Sequence, residues 1–214
     1  MAILLENLLG NVTGKLGKLI LYERNGKICF RTKPERIATV PSAKQRYQRE
    51  AFAKVSSFLA PIRDELEFGF SGIPGDKSKR FGKALSLAVK KAILPEEGEP
   101  VLYPERISTS AGDILGLADY QLEWESPTTL LIRWRPNSFE GNGVDADLIF
   151  YLGYDPQSKR KWSVREGAYR KNGLIRIYFP WSGSQVGKFF HFVSFYGKRN
   201  KRIEFSDSLC LGRF

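Results

Sequence analysis

Apolar residues recur along this chain in two periods, one suited to helices and one to strands. Residues 19–24 and 27–32 are short, largely apolar runs on either side of Asn25-Gly26. Asn-Gly between such runs predicts a hairpin, because a type I′ turn needs positive φ at both central positions. Ser42 then offers an N-cap to a stretch in which Tyr47, Ala51, Val55, Phe58 and Leu59 recur at intervals of three and four, the stripe of a helix over 43–59. Pro61 ends or kinks that helix, and Ile62, Leu66 and Phe70 continue its stripe. After a loop around 72–75, a second helix is predicted over 76–93, with Phe81, Leu85, Ala88, Val89 and Ala92 on one face.

The rest of the chain alternates. Residues 120–124 and 130–134 show a period of two, with Ser126-Pro127 turn chemistry between them, and 147–154 is a longer, more continuously apolar run. Further strands are predicted over 161–165, 174–179, 189–195 and 208–211, separated by turn clusters such as Asn142-Gly143, Asp155-Pro156 and Asn172-Gly173. Short strands in series with no helical pattern between them predict a β-sandwich. The expected fold class is therefore α+β: an N-terminal β-hairpin plus two or three helices, followed by an all-β immunoglobulin-like sandwich.

The stretch from about 117 to 214 resembles a fibronectin type III or related immunoglobulin-like domain. Trp134 stands where such domains carry a core Trp on the second strand, 189–195 match their late aromatic strand, and 197–202 would form the loop of their last hairpin. A second resemblance covers the whole chain. Thr13-Gly14-Lys15-Leu16-Gly17 leading into a hairpin, Arg31 followed by Pro34, and Gln45, Gln48, Arg49 and Phe52 on a helix are similar to an uncharacterised bacterial family of about this length. The chain departs from that pattern at Val40-Pro41, where Asn-Pro is expected. The resemblance implies a two-part layout and supplies neither an activity nor catalytic residues.

Charge sharpens the division. The 34 Lys and Arg outnumber the 23 Asp and Glu, for a net charge of +11, which invites a polyanionic partner. Residues 1–94 hold 18 basic against 8 acidic side chains, and 95–214 hold 16 against 15. The change falls at an acidic Pro/Gly stretch, 94–100, that reads as a linker. The expected domains are a basic hairpin-plus-helices module over 1–94, a linker over 95–105 and the sandwich over 106–214.

Candidate chemistry is sparse. Gly10, Gly14 and Lys15 miss phosphate-loop spacing, and Leu16 stands where that loop needs Ser or Thr. Asp145 and Asp147 share one side of a strand start and read as solvated charges rather than as a metal or acid–base pair. The single histidine, His191, lies between Phe190 and Phe192 and reads as a core residue. Cys29 and Cys210 read as buried free thiols in different strands. Trp162 and Trp181 would suit carbohydrate stacking if their rings were open to solvent. No catalytic residue, metal or cofactor is expected.

The basic residues are the candidate anion- or partner-binding groups: Lys44, Arg46, Arg49 and Lys54 on the first helix, Lys79, Arg80 and Lys83 on the second, and Lys198, Arg199, Lys201 and Arg202 at a loop tip. The function expected is that of a non-enzymatic structural or interaction protein of the kind found in a phage or mobile-element assembly, engaging a protein partner or its own copies. Nucleic-acid binding through the basic N-terminal helices is the alternative. The apolar start is broken by Glu6 and Asn7, so no signal peptide and no membrane partner are expected, and the chain reads as cytoplasmic or virion-associated.

Overall fold

The computed structural model describes residues 2–3, 13–34, 40–199 and 201–214. Gly10 of the rejected phosphate loop and Asn200 of the basic loop lie outside them. The fold class is α+β, and the chain divides into two compact units, Met1–Ser42 and Ala43–Phe214.

The first unit is an antiparallel sheet of β1 (Ala2–Ile3), β2 (Gly14–Leu16), β3 (Leu19–Arg24) and β4 (Lys27–Thr32), in the order β1-β4-β3-β2. Asn25 and Gly26 take φ of 53° and 73°, the two positive values that close the predicted hairpin with Arg24 opposite Lys27. Leu21, Ile28 and Cys29 are its buried apolar residues.

In the second unit, α1 (Ala43–Leu59) buries Ala51, Val55, Phe58 and Leu59. Pro61 does not stop the chain's helical course. It sits early in a 3₁₀ turn, Ala60–Ile62, where its missing N–H costs nothing, and α2 (Arg63–Gly69) follows directly. Ile62, Leu66 and Phe70 carry the stripe on, all fully buried. The next helix, α3 (Lys77–Lys91), is capped by Asp76, whose carboxylate accepts from the Lys79 amide at 2.9 Å.

The acidic stretch expected as a linker is instead a hairpin, β5 (Ile93–Glu96) and β6 (Glu99–Leu102). Glu97 and Gly98 have φ of 50° and 86°, which makes a two-residue turn of the primed type. Pro95 and Pro100 face each other one pair beyond the hydrogen-bonded closing pair Glu96–Glu99, a position where neither needs a donor.

Eight more antiparallel strands follow: β7 (Gln121–Ser126), β8 (Thr129–Arg133), β9 (Leu148–Asp155), β10 (Arg160–Val164), β11 (Leu174–Tyr178), β12 (Phe190–Arg199), β13 (Arg202–Phe205) and β14 (Leu209–Arg213). One sheet runs β11-β8-β7, the other β10-β9-β12, with β13 and β14 sharing the outer edge of β12. The larger sheet is covered on both faces. Ile149 and Tyr151 of β9 and Val193 and Phe195 of β12 meet Leu130, Ile132, Ile175 and Ile177 of the smaller sheet. Their neighbours of opposite parity, Phe150, Leu152 and Tyr154 with Phe190, Phe192 and Tyr196, meet the apolar stripes of α1, α2 and α3. Double burial is why β9 reads as an unbroken apolar run.

The helices therefore have no core separate from the sheet. The division expected at residue 94 falls instead between Ser42 and Ala43, because the stripes of α1 and α3 are buried against β9 and β12 rather than within a module of their own.

Candidate functional site

The basic side chains singled out by sequence do not form one patch. Lys44, Arg46 and Arg49 are exposed along α1. Lys54 is used up structurally, bonded to Glu50 at 2.7 Å and to the Pro100 carbonyl at 2.7 Å, which staples α1 to the β5–β6 hairpin. Lys79 and Lys83 point outward from α3, and Lys198 and Lys201 are exposed at the β12–β13 turn. Arg199 turns inward, donating to Asp147 at 2.5 Å and to the Asn142 carbonyl at 3.3 Å. Two of the predicted residues do converge: Arg80 from α3 and Arg202 from β13 line one cleft.

The cleft is two adjoining depressions, of about 510 and 550 Å³, that share Ser71, Arg80 and Ile203. Its first wall is the loop from α2 to α3, wound tightly by Ser71 N–H to Phe68 O at 2.9 Å and Ile73 N–H to Phe70 O at 3.0 Å. Its second wall is β13, which the loop approaches so closely at Gly72 that a Cβ there would sit 3.3 Å from the Ile203 carbonyl oxygen. The floor rests on Phe68, packed edge-on against Phe150, Tyr196 and Phe205 at 5.1–5.2 Å. Arg165 lies over the same ring, 4.5 Å from its centroid.

Electrostatically the cleft is positive. Lys77, Arg80, Arg165 and Arg202 face Asp64 and Glu67, and Glu67 is already held by Arg63 at 2.8 Å. The N-terminus of α3 adds its dipole to the same side. Ser71 Oγ and Arg80 Nε are buried in the cleft wall with no hydrogen-bond partner among the described residues. A buried donor left unpaired costs about 1–3 kcal/mol, more when it is charged. Arg80 Nε is shielded from solvent, so it is the charge of Arg80 at the cleft wall, and not that donor, that an anionic group in the cleft would meet. Arg165 and Ser71 carried no signal in the sequence, since neither belongs to a basic run or a motif.

The other candidate groups are occupied. Asp147 is not a solvated acid but fully buried, receiving Arg170 Nε at 3.2 Å, Arg199 Nη2 at 2.5 Å and the Val144 amide at 2.9 Å. His191 is a core residue, fully buried, with Nδ1 2.8 Å from the Tyr151 hydroxyl, and burial pulls its pKa down to about 4. Trp162 and Trp181 are partly buried and packed on each other, with ring centroids 6.1 Å apart, while Phe189 stacks on Trp181 at 5.6 Å and Arg160 lies 5.6 Å from its centroid. Cys29 and Cys210 are free; Cys29 is buried and Cys210 half-buried, its thiol pushed up to about 11 by desolvation. Among the described residues no group of His, Cys, Asp or Glu is arranged to hold a metal ion, and no helix is long and apolar enough to cross a membrane.

Compared with known proteins, the chain matches the model of a family of unknown function (DUF6266) over residues 11–206. No curated protein and no solved structure matches it. The chain belongs to that family, in keeping with the resemblance to an uncharacterised family of about this length.

Proposed function

We propose that this member of the family is a non-enzymatic interaction protein that docks to an acidic protein segment through the cleft between α3 and β13. One observation carries the reading: Arg80 and Arg202, distant in sequence, meet in a single cleft with no carboxylate partner among the described residues. The groups that acid–base chemistry would use are committed elsewhere, Glu67 to Arg63 and His191 to Tyr151. A protein partner or a second copy of the chain, in an intracellular or virion assembly, is the setting proposed.

Nucleic acid is the weaker ligand class. Phe68, the aromatic ring of the cleft, is packed from below and covered by Arg165, so no platform is left for base stacking. We also read the facing sheets as immunoglobulin-like. The first, second and fifth sandwich strands (β7, β8, β11) share one sheet, and the third, fourth, sixth and seventh (β9, β10, β12, β13) the other, a division closer to the fibronectin type III variant, with β14 as an eighth strand beside β12. Trp134 is buried between the sheets, its ring 5.8 Å from that of Phe195.

A salt titration tests the cleft. A poly-glutamate peptide is expected to bind the full chain, to weaken as salt rises, and to lose at least about tenfold in affinity with Arg80→Ala and Arg202→Ala combined. Absence of peptide binding at low salt overturns the proposal. Tighter binding of duplex DNA than of the peptide at the same salt transfers the cleft to the nucleic-acid reading.

A further inference from the structure

Three Asn-Gly dipeptides occur in the chain, at Asn25-Gly26, Asn142-Gly143 and Asn172-Gly173. Their local chemistry is the same: an asparagine followed by a residue with no side chain to hinder its amide nitrogen. That nitrogen can attack the side-chain carbonyl carbon of the asparagine before it. What separates the three sites is how tightly the fold holds them.

Two of them are held. Asn142 has both ends of its side-chain amide engaged, Oδ1 accepting from the Leu115 amide and Nδ2 donating to the Asp113 carbonyl, each at 2.8 Å. Gly143 lies against the fully buried Arg170, where a Cβ would sit 3.0 Å from the guanidinium carbon. Asn172 ends a 3₁₀ turn, Arg170–Asn172. Gly173 closes that turn, donating to the Arg170 carbonyl at 3.4 Å, while its own carbonyl accepts from the Trp134 amide at 2.8 Å. Turning either asparagine toward its glycine nitrogen means breaking bonds around a buried guanidinium.

Asn25 has no such restraint. It and Gly26 are exposed, and a Cβ on Gly26 would meet nothing within 4 Å. Among the described residues neither the Asn25 side chain nor the Gly26 N–H has a hydrogen-bond partner. In the left-handed conformation of a type I′ turn the Gly26 nitrogen points away from the side chain, so ring closure requires the Asn25 backbone to rotate. The closing pair Arg24–Lys27 resists that rotation, at a hairpin tip where local opening costs least.

We propose that Asn25 is a self-modification site, deamidating in the native protein while Asn142 and Asn172 are protected. The Gly26 nitrogen bonds to Cγ of Asn25, the Cγ–Nδ2 bond breaks, and ammonia leaves with the Gly26 proton. Water then opens the succinimide, giving aspartate by addition at the side-chain carbonyl and isoaspartate by addition at the main-chain carbonyl. Either product places a carboxylate at a turn flanked by the exposed Arg24 and Lys27, and lowers the net charge from +11 to +10. The two differ in shape. Asp-Gly still suits a primed turn, whereas isoaspartate routes the main chain through Cβ and lengthens a two-residue turn. Because β3 and β4 are the inner strands of their sheet, the isoaspartate form loosens the first unit and leaves the second intact.

Incubation of the full chain at mildly alkaline pH, followed by peptide mapping by mass spectrometry, tests the proposal. Asn25 is expected to deamidate at least about tenfold faster than Asn142 or Asn172, and the three rates to converge to within about twofold in urea, where the fold protects none of them. After separation by ion exchange, the isoaspartate fraction is expected to lose hydrogen-exchange protection in β3 and β4. The aspartate fraction is expected to keep it, as is Asn25→Asp made directly. An Asn25 no faster than the other two in the native protein overturns the proposal, as do rates that stay equally far apart in urea. An isoaspartate fraction with β3 and β4 fully protected overturns its structural consequence.

Discussion

Arg170 and Arg80 are both drawn off the surface of the second unit, and they meet burial in opposite ways. Arg170 is fully buried between the sandwich loops, with Nε on Asp147, Nη1 on Asn137, Nη2 on the Leu115 carbonyl and its guanidinium carbon 3.9 Å from the centroid of the Phe195 ring. Its own carbonyl accepts from Trp134 Nε1 at 2.8 Å. Arg80 is half-buried, and its Nε finds no acceptor among the described residues. A guanidinium with its donors engaged holds loops together. One that lines a cleft with no carboxylate paired to it leaves its charge to a group from outside.

Substitutions can break or sharpen this contrast. The largest effect is expected at the satisfied cluster: Asp147→Ala leaves the buried Arg170 without its carboxylate, and Arg170→Ala leaves the buried Asp147 with Arg199 as its one ion-pair partner, the first at a cost of about 3–5 kcal/mol in urea denaturation and the second somewhat less. A loss under about 1 kcal/mol would remove the distinction.

His191 gives the next largest. The fold binds its neutral ring, with a pKa near 4, while the unfolded chain takes up a proton near pH 6.5. Stability contributed by the neutral ring is thus present above pH 6.5 and lost as pH falls toward 4, about 2 kcal/mol of it by pH 5. Since this is the one histidine in the chain, His191→Gln is expected to flatten the pH dependence of urea midpoints between pH 5 and 7.

Phe139→Gly should relieve the left-handed backbone and raise stability by up to about 1 kcal/mol; a destabilised glycine variant would mean that the ring packs within its own chain. Smallest of all, Arg80→Ala and Arg202→Ala are each expected to cost less than about 0.5 kcal/mol, since neither carries an ion pair among the described residues and the first also removes a buried donor that has no acceptor. A larger loss would make Arg80 a structural residue like Arg170.

Much of the fold was legible because period and turn chemistry act locally. Asn25-Gly26 announced its hairpin, the stripe from Ala51 to Leu59 announced α1, and alternation gave β7, β8 and β11. Where partners lie far away in sequence, local pattern was silent. The 94–100 stretch looked like a linker because prolines and glutamates are poor strand formers, yet positive φ at Glu97 and Gly98 and a non-hydrogen-bonded place for both prolines make it a hairpin. Asp147 looked solvated because its neutralising arginines come from 170 and 199. Arg80 and Arg202 of the cleft stood out as members of basic runs; Ser71 and Arg165 reach it from segments with no such mark.

The double covering of β9 and β12 also orders events during synthesis. The helices between residues 43 and 91 leave the ribosome long before the strands at 148–155 and 190–199 that receive their apolar stripes. Until the last quarter of the chain has emerged, those stripes have no native surface to bury against. Folding of the second unit therefore waits on long-range pairing near its end, and a ribosome stalled before Phe190 would hold a chain with its helical side exposed.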